Sequence, residues 1–351
     1  QAEQHGKAYR FHFIPDEPVL AFMPFKLNPE NYVEIRSLKS ISADLKLTGP
    51  DNAALWMHSN ADSTELAVEI NQLDLQQLSR FAAIPDMQGR GNVALRYVPS
   101  DVSYLIAADA NIDNLIFRGQ PVGELLLNGV YLPLDNNRHR FDAHFYHNES
   151  ELATVSSFYR QPQQKQAQGA IDGTMQFDRI PLSELNPFFG GAVDMQGVLR
   201  GRLTLESRDR GPIWNGYLQL DSTSMYVRAV GTRFRFDDQE VDIKDSKLRL
   251  TKYGIYTTGG NPFVISGTVD FSKSMKETAD LRLAAQDMLL IDAPDGAPGA
   301  MLYGRLPIDL NLTARGPLRA LKVRGGVHVR SGTNVTYVMP DANDELQDNF
   351  A

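Results

Sequence analysis

Three histidines lie within nine residues in the stretch RHRFDAHFYHN: His139, His144 and His147. Imidazoles at that density are how many zinc and copper sites begin. Strand parity argues against a site here, because an extended chain sends successive side chains to opposite faces. His139 and His147 then share one face and His144 takes the other. No C-x-x-C and no H-E-x-x-H accompanies them. The expectation is no metal site, and histidines on an exposed strand or hairpin.

The second polar cluster is FDDQEVDIKD, with Asp237, Asp238 and Glu240. Its spacing is not that of a calcium loop. It reads as a polar turn between strands, with Phe234 and Phe236 on one side. A carboxylate pair for glycoside hydrolysis would be assembled from distant strands, and nothing in the sequence marks one. There is no G-x-S-x-G, no phosphate-binding P-loop and no dinucleotide-type glycine loop. Gly190-Gly191 follow Phe188-Phe189 and read as a helix stop. Trp56 and Trp214, the only tryptophans, read as core or groove wall before they read as a sugar platform. With no cysteine at all, disulfides, thiolate metal sites and cysteine nucleophiles are excluded together. The expectation is a protein that is not an enzyme and has no cofactor.

Composition narrows the class further. The 351 residues carry 35 basic and 43 acidic side chains, a formal charge of -8. That mild, scattered charge gives no reason to expect nucleic acid. No apolar run reaches the roughly 18 residues of a membrane span. The chain opens QAEQHGKAYRF, read as cut or processed from a longer protein, with any targeting segment or anchor outside it.

The elements that must position these residues are strands. In GRLPIDLNLTA, Leu306, Ile308, Leu310, Leu312 and Ala314 share one parity, while Pro307, Asp309, Asn311 and Thr313 share the other. The same period-two pattern recurs in SISADLKLTG, ELAVEI, DVSYLIAADANI, TADLRLAA and VRGGVHVR. Helical signal is thin: one short helix near 73–84 and another near 180–188. QPQQKQAQG (161–169) reads as a surface loop, and the acidic tail 342–351 as frayed.

Repeats organise the strands. LDLQQLSRFAAIPDMQGRGNVAL and FDRIPLSELNPFFGGAVDMQGVLRGRLTL both run from a Leu-Ser helix through DMQG into a strand. DMQG stands at 86–89 and again at 194–197. A weaker third copy runs from MLLIDAPDGA into YGRLPIDLNL. RGPIWNGYLQL and RGPLRALKVRGGVHV share a second signature, in which Gly-Pro ends one strand and sets a turn. The chain divides into an unassigned leading segment 1–40, β-repeat regions 41–176, 177–278 and 279–341, and the tail 342–351.

This order of motifs resembles the TamB family, the inner-membrane subunit of the translocation and assembly module within the AsmA-like group. The signature is a short Leu-Ser helix, a G-x-L-x-G-x-L-x-L strand, then GP and a G-x-L-x-L strand. The run DSKLRL…ISGTVDF and the stretch RLPIDLNLTARGPLRALKVRGGVHVRSGTNVTYVMPD strengthen it, the latter resembling the Bacteroidota branch. The resemblance covers about residues 40–341, as a C-terminal-side fragment of a longer protein.

The resemblance implies an all-β fold: an elongated, repetitive antiparallel sheet folded into a U-shaped apolar groove, with a few short helices. A sandwich or a barrel would also cover the apolar faces. It implies a periplasmic location, in a parent protein anchored to the inner membrane by an N-terminal helix absent here. The implied cargo is phospholipid acyl chains, with a nascent protein strand as the other cargo. The implied partner is an outer-membrane BamA-like barrel. On this reading the groove-lining candidates, taken from parity, are Leu199, Leu203, Leu205, Leu281, Leu283, Leu306, Ile308, Leu310, Leu312, Val323, Val327 and Val329. The alternatives are a structural or adhesive β-repeat protein of the cell surface with a closed core, and a carbohydrate-active β-fold enzyme.

Overall fold

The computed structural model describes residues 2–338 except 6–7, 15–16, 21–22, 38–39, 61, 63, 83–85, 102, 136, 163–168, 209–210, 259–260 and 274–275. Most of the expected loop 161–169 and the whole tail 342–351 lie outside the described residues. The fold is all-β and antiparallel, about 72% strand and 8% helical. Apolar strand faces therefore have little but other strands to cover them. No helix among the described residues is long and apolar enough to cross a membrane, which says nothing of a β-barrel. The chain forms two compact units: residues 1–176 with 206–208, and 177–205 with 209–351.

In the first unit the strands are β1 (Ala2–His5), β2 (Ala8–Phe11), β3 (Val19–Leu20), β4 (Met23–Pro24), β5 (Lys26–Leu27), β6 (Tyr32–Ser37), β7 (Ser40–Thr48) and β8 (Ala54–Ser59). They continue with β9 (Leu66–Asp74), helix α1 (Leu75–Ala82), β10 (Met87–Pro99), β11 (Tyr104–Phe117), β12 (Gln120–Leu134), β13 (Arg138–His147), β14 (Ser150–Arg160) and β15 (Ala170–Pro181), whose last residues fall in the second unit. From β6 to β14 each strand pairs with the next.

One rung shows the consequence of period-two alternation. Leu47, Leu55, Ile70, Val93, Ala110, Leu127, Phe145 and Ala153 are successive partners across eight strands. The opposite face is polar. Asn128 donates to Asp109 at 2.6 Å, and Ser156 and Arg140 both donate to Asp142.

The helix α1 begins at Leu75, because β9 runs on through Asp74. Asp74 caps it by accepting from the Gln76 amide at 2.9 Å. Leu75 packs on Leu115 and Val122, so the helix covers one end of the apolar face.

The second unit holds β16 (Val193–Arg208), whose last residues fall in the first, and then β17 (Gly211–Val227), β18 (Thr232–Phe236), β19 (Val241–Lys244) and β20 (Lys247–Tyr256). It ends with β21 (Phe263–Asp270), β22 (Thr278–Ala293), β23 (Leu302–Pro317), β24 (Lys322–Val329) and β25 (Asn334–Tyr337). The second repeat helix is a 3-10 helix, Leu182–Phe189. It stops at left-handed Gly190. The third repeat copy has a loop, 294–301, in the same place between two long strands. Gly316-Pro317 ends a strand, but Gly211-Pro212 opens one: the Gly-Pro pair there lies inside β17.

DMQG proves to be strand from its Met onward in the first copy and throughout in the second, and its glycine explains the repetition. Gly89 and Gly197 have φ of 136° and 103°. A Cβ on Gly89 would stand 2.9 Å from the Asp113 carbonyl oxygen, and one on Gly197 2.5 Å from Thr223 Cα. Only glycine lets the neighbouring strand approach so closely in that conformation.

The alternation is not unbroken. At five points among the described residues the inward-facing residues are three apart: Ile70 to Leu73, Ile112 to Leu115, Leu220 to the buried Thr223, Leu250 to Tyr253 and Ala285 to Met288. In each gap the residue before the return has positive φ: Gln72, Asn114, Ser222, Lys252 and Asp287. These are β-bulges, which add a residue and bend the strand. Four of the freed amides are met by side chains. Gln72 donates to Asn92, Ser222 to Asp238, Lys252 to Ser266 and Asp287 to Asp309, at 2.7–3.2 Å. Asn92→Ala would strand the Gln72 amide. It is expected to cost about 1–3 kcal/mol, read as a lower urea midpoint for the first unit, and an unchanged midpoint would deny the bulge acceptor its role.

Candidate functional site

The bulges bring an apolar face of the second unit round on itself. Leu218 and Leu220 of β17, Phe234 and Phe236 of β18, and Leu248 and Leu250 of β20 share this face. After the Lys252 bulge Tyr253 and Ile255 rejoin it. Across β20–β23 the partners are Tyr253, Ile265, Leu283 and Leu312. Beyond the Asp287 bulge β22 returns to the start of β18. There the Asp292 amide donates to Thr232 Oγ1 at 3.1 Å. The loop 294–301 follows: Tyr226 Oη donates to the Pro298 carbonyl at 3.1 Å.

Two cavities lie along this face. One, of about 300 Å³, is lined by residues including Leu199, Leu218, Phe236, Leu250, Tyr253 and Ile255. The other, of about 290 Å³, is lined by residues including Met225, Phe236, Ile255, Met288, Ile308 and Leu310. Phe236 and Ile255 belong to both, so the two are adjoining stretches of one apolar wall. Among the described residues no charged side chain lines either. A larger cleft, of about 710 Å³, opens between Ser222, Ser224, Arg233, Arg235, Asp238 and Tyr256. Its charges are of both signs, and it lies on the opposite parity of the same strands.

The twelve residues expected to line a groove are placed as follows. Leu199, Ile308 and Leu310 line the cavities. Leu281, Leu283 and Leu312 stand on the same face by register, and Leu306 opposes Ile291. Leu203 and Leu205 are half-buried in β16. Val323, Val327 and Val329 continue the face on β24, partnered to Ala314, Leu310 and Ile308. Each is more than half exposed. Parity counting misses Met225, Tyr253, Ile255, Met288 and Leu290, because each follows a bulge. The phase slips in LQLDSTSMYV, LRLTKYGIY and LRLAAQDMLL are the signal that finds them.

The other chemical candidates separate. His144 Nδ1 lies 2.6 Å from Glu151, His147 Nε2 2.6 Å from the Val122 carbonyl and His139 Nδ1 2.6 Å from Tyr131 Oη. Among the described residues no group of three or more potential metal ligands converges. Asp237 and Asp238 lie in the turn between β18 and β19. Asp237 accepts from the Gln239 amide and Asp238 from Ser222. Trp56 is not groove wall: it has the polar parity of β8, stacks on His58 at 3.8 Å and donates to Asp44. Trp214 has the parity of Leu218 and Leu220.

Tyr253 is the polar exception in the wall. It is buried, and its hydroxyl donates to the Asp237 carbonyl at 2.7 Å. Burial, then the nearby Asp237 and Asp238, push its phenol from 10.0 up to about 12. A raised pKa of this kind stabilises the fold fully below pH 10 and is lost as pH rises toward 12. Alkaline titration followed by phenolate absorbance is expected to show one tyrosine ionising with unfolding in that window. Tyr253→Phe is expected to remove that step; a variant that keeps it would assign it elsewhere.

Residues 251–349 match a family model described as the TamB C-terminal domain. No curated protein and no solved structure matches the chain.

Proposed function

Because the chain belongs to the TamB family through the C-terminal domain at residues 251–349, we propose that its apolar wall holds or conducts phospholipid acyl chains toward an outer membrane. The observation that carries this is the pair of adjoining cavities around Phe236 and Ile255, free of charged lining among the described residues. Burial of one methylene is worth about 0.8 kcal/mol, so a saturated chain of about 16 carbons would gain roughly 13 kcal/mol at full burial. A half-open wall realises less, which leaves the lipid free to depart. Apolar contact is non-directional, so sliding breaks no fixed set of bonds.

On this reading the protein is not an enzyme. It works in the periplasm, within a parent anchored to the inner membrane. Its outer-membrane partner is a BamA-like barrel, and β24 is a suitable contact. Among the described pairings β24 is bonded along one edge, to β23, and an open edge accepts an added strand. Support for assembly of outer-membrane proteins is the same wall put to a second cargo.

The test is native mass spectrometry with lipid extraction of the chain purified from a Gram-negative envelope. Leu310→Asp puts a charge on the wall, and Asn311→Asp puts the same charge on the opposite face of β23. Phospholipid is expected with the wild type and Asn311→Asp, and at least about tenfold less with Leu310→Asp. A folded, lipid-free wild type would point instead to a closed structural core.

A further inference from the structure

In the first unit the apolar face ends in a band of a different chemistry. Tyr97, Tyr104, Tyr131, His139 and Tyr159 come from five consecutive strands, β10 to β14. Their ring centroids follow one another at 5.3, 6.1, 5.7 and 5.9 Å. Register puts all five on the apolar face. Tyr97 and Tyr131 both oppose Ile106, and His139 opposes Pro133 and Tyr159. The band therefore crosses the strands, in the direction in which strands are added.

The tyrosines of the band are polar without being charged. Every member offers an O–H or N–H, and Arg138 and Arg140, beside His139, have the opposite parity. Tyr131 Oη meets His139 Nδ1 at 2.6 Å. His139 Nε2 is buried with no hydrogen-bond partner. Burial, and after it the neighbouring Tyr104, raise the phenol pKa values of Tyr97 and Tyr131, so these hydroxyls remain neutral. Beside them Leu95 and Phe141, on the same face, are each more than a third exposed. That face is open where the band borders it.

The distance to the other end of the face is set by α1. A Cβ on Gly91 would touch Leu75 at 3.4 Å, so the helix seats over Gly91. From Gly91 to Tyr97 is six residues of β10, about 20 Å at 3.4 Å per residue. One leaflet of a bilayer's hydrocarbon core is about 15 Å thick. An acyl chain lying along the strands fits between the helix and the aromatic band.

Resting on the reading above, we propose that the Tyr97–Tyr159 band is a headgroup rail for a glycerophospholipid. It takes the ester and phosphodiester oxygens while the acyl chains lie on the aliphatic rungs toward α1. Those oxygens accept hydrogen bonds, and the band supplies donors. Neutral donors hold a phosphate more weakly than a guanidinium does, and the next strand presents an equivalent donor about 4.8 Å on. Aromatic side chains with polar tips occupy the same level at a membrane surface.

The full chain carrying fluorotyrosine, assigned by single Tyr→Phe variants, tests this by fluorine NMR. It is mixed with phosphatidylcholine bearing a nitroxide on the headgroup, or on the acyl terminus. The expected result is selective broadening of Tyr104 and Tyr131 by the headgroup label alone. Tyr104→Phe with Tyr131→Phe keeps both rings and is expected to weaken binding at the band about fivefold per hydroxyl. Equal broadening by both labels, or broadening by the acyl label, overturns the rail while leaving lipid carriage standing. So does bound lipid that broadens neither tyrosine. Displacement by free maltose would make the band a carbohydrate platform. Absence of any bound lipid removes both readings.

Discussion

An antiparallel sheet with one apolar and one polar face has a debt to settle on one side only, and here few helices exist to cover it. The rung from Leu47 to Ala153 runs through eight strands of the first unit with an apolar or small residue at every step. A flat sheet would leave all of it in water. In the second unit the cover comes from the sheet itself, through the return of β22 onto the start of β18 at Asp292 and Thr232. The short α1 and the loop 294–301 cover strand ends. They are too small to cover a face.

Bending has its own cost, and the bulges are where it is met. A non-glycine residue in the left-handed region costs about 1–2 kcal/mol, and five such residues stand at the five phase slips. The amide each bulge releases from the ladder would add an unmet donor. At four of the five an acceptor prevents that: Asn92, Ser266 and Asp309 on adjacent strands, and Asp238 in the turn between β18 and β19. Asp309 shows the interaction from the acceptor's side. The Asp287 amide, followed by Arg330, holds its carboxyl below the usual range. Bulge and acceptor therefore form one joint made of two strands.

Much of this architecture is legible in the order of the amino acids. Alternation identifies the strands, and DMQG locates two of the close strand approaches, though not that Gly89 and Gly197 lie within strands. The order of motifs points to the family over about residues 40–341, and the family model matches residues 251–349. Period-two counting fails for a specific reason. It carries one phase along a strand, and a bulge resets that phase. Leu248 and Leu250 are visible as a pair, while Tyr253 and Ile255 fall on the wrong parity. The slip of three can be read in LRLTKYGIY, LRLAAQDMLL and VEINQLD. Trp56 is misplaced for a different reason. Its size suggests an interior role, but its neighbours Leu55 and Met57 hold the apolar parity, and Lys46 and His58 offer its ring partners on the polar face. The Tyr–His band cannot be found from spacing, because its members lie up to 62 residues apart and meet only through register.

The division of labour between the faces follows from how each kind of contact depends on position. Ion pairs and directed hydrogen bonds have a preferred geometry, and here they are concentrated on the polar face and at the bulges, where they fix register. Apolar contact depends on area and hardly on position. A wall built of it holds a hydrocarbon at every point along its length about equally. Placing the charges of β10 to β14 on the far side keeps that wall uniform; on the proposed lipid reading, a single guanidinium among the aliphatic rungs would bind a phosphate and stop it there. The same separation makes strand register the property to preserve. A slip of one residue would exchange the two faces, and the bulges, whose acceptors fit one pairing only, are what forbids it.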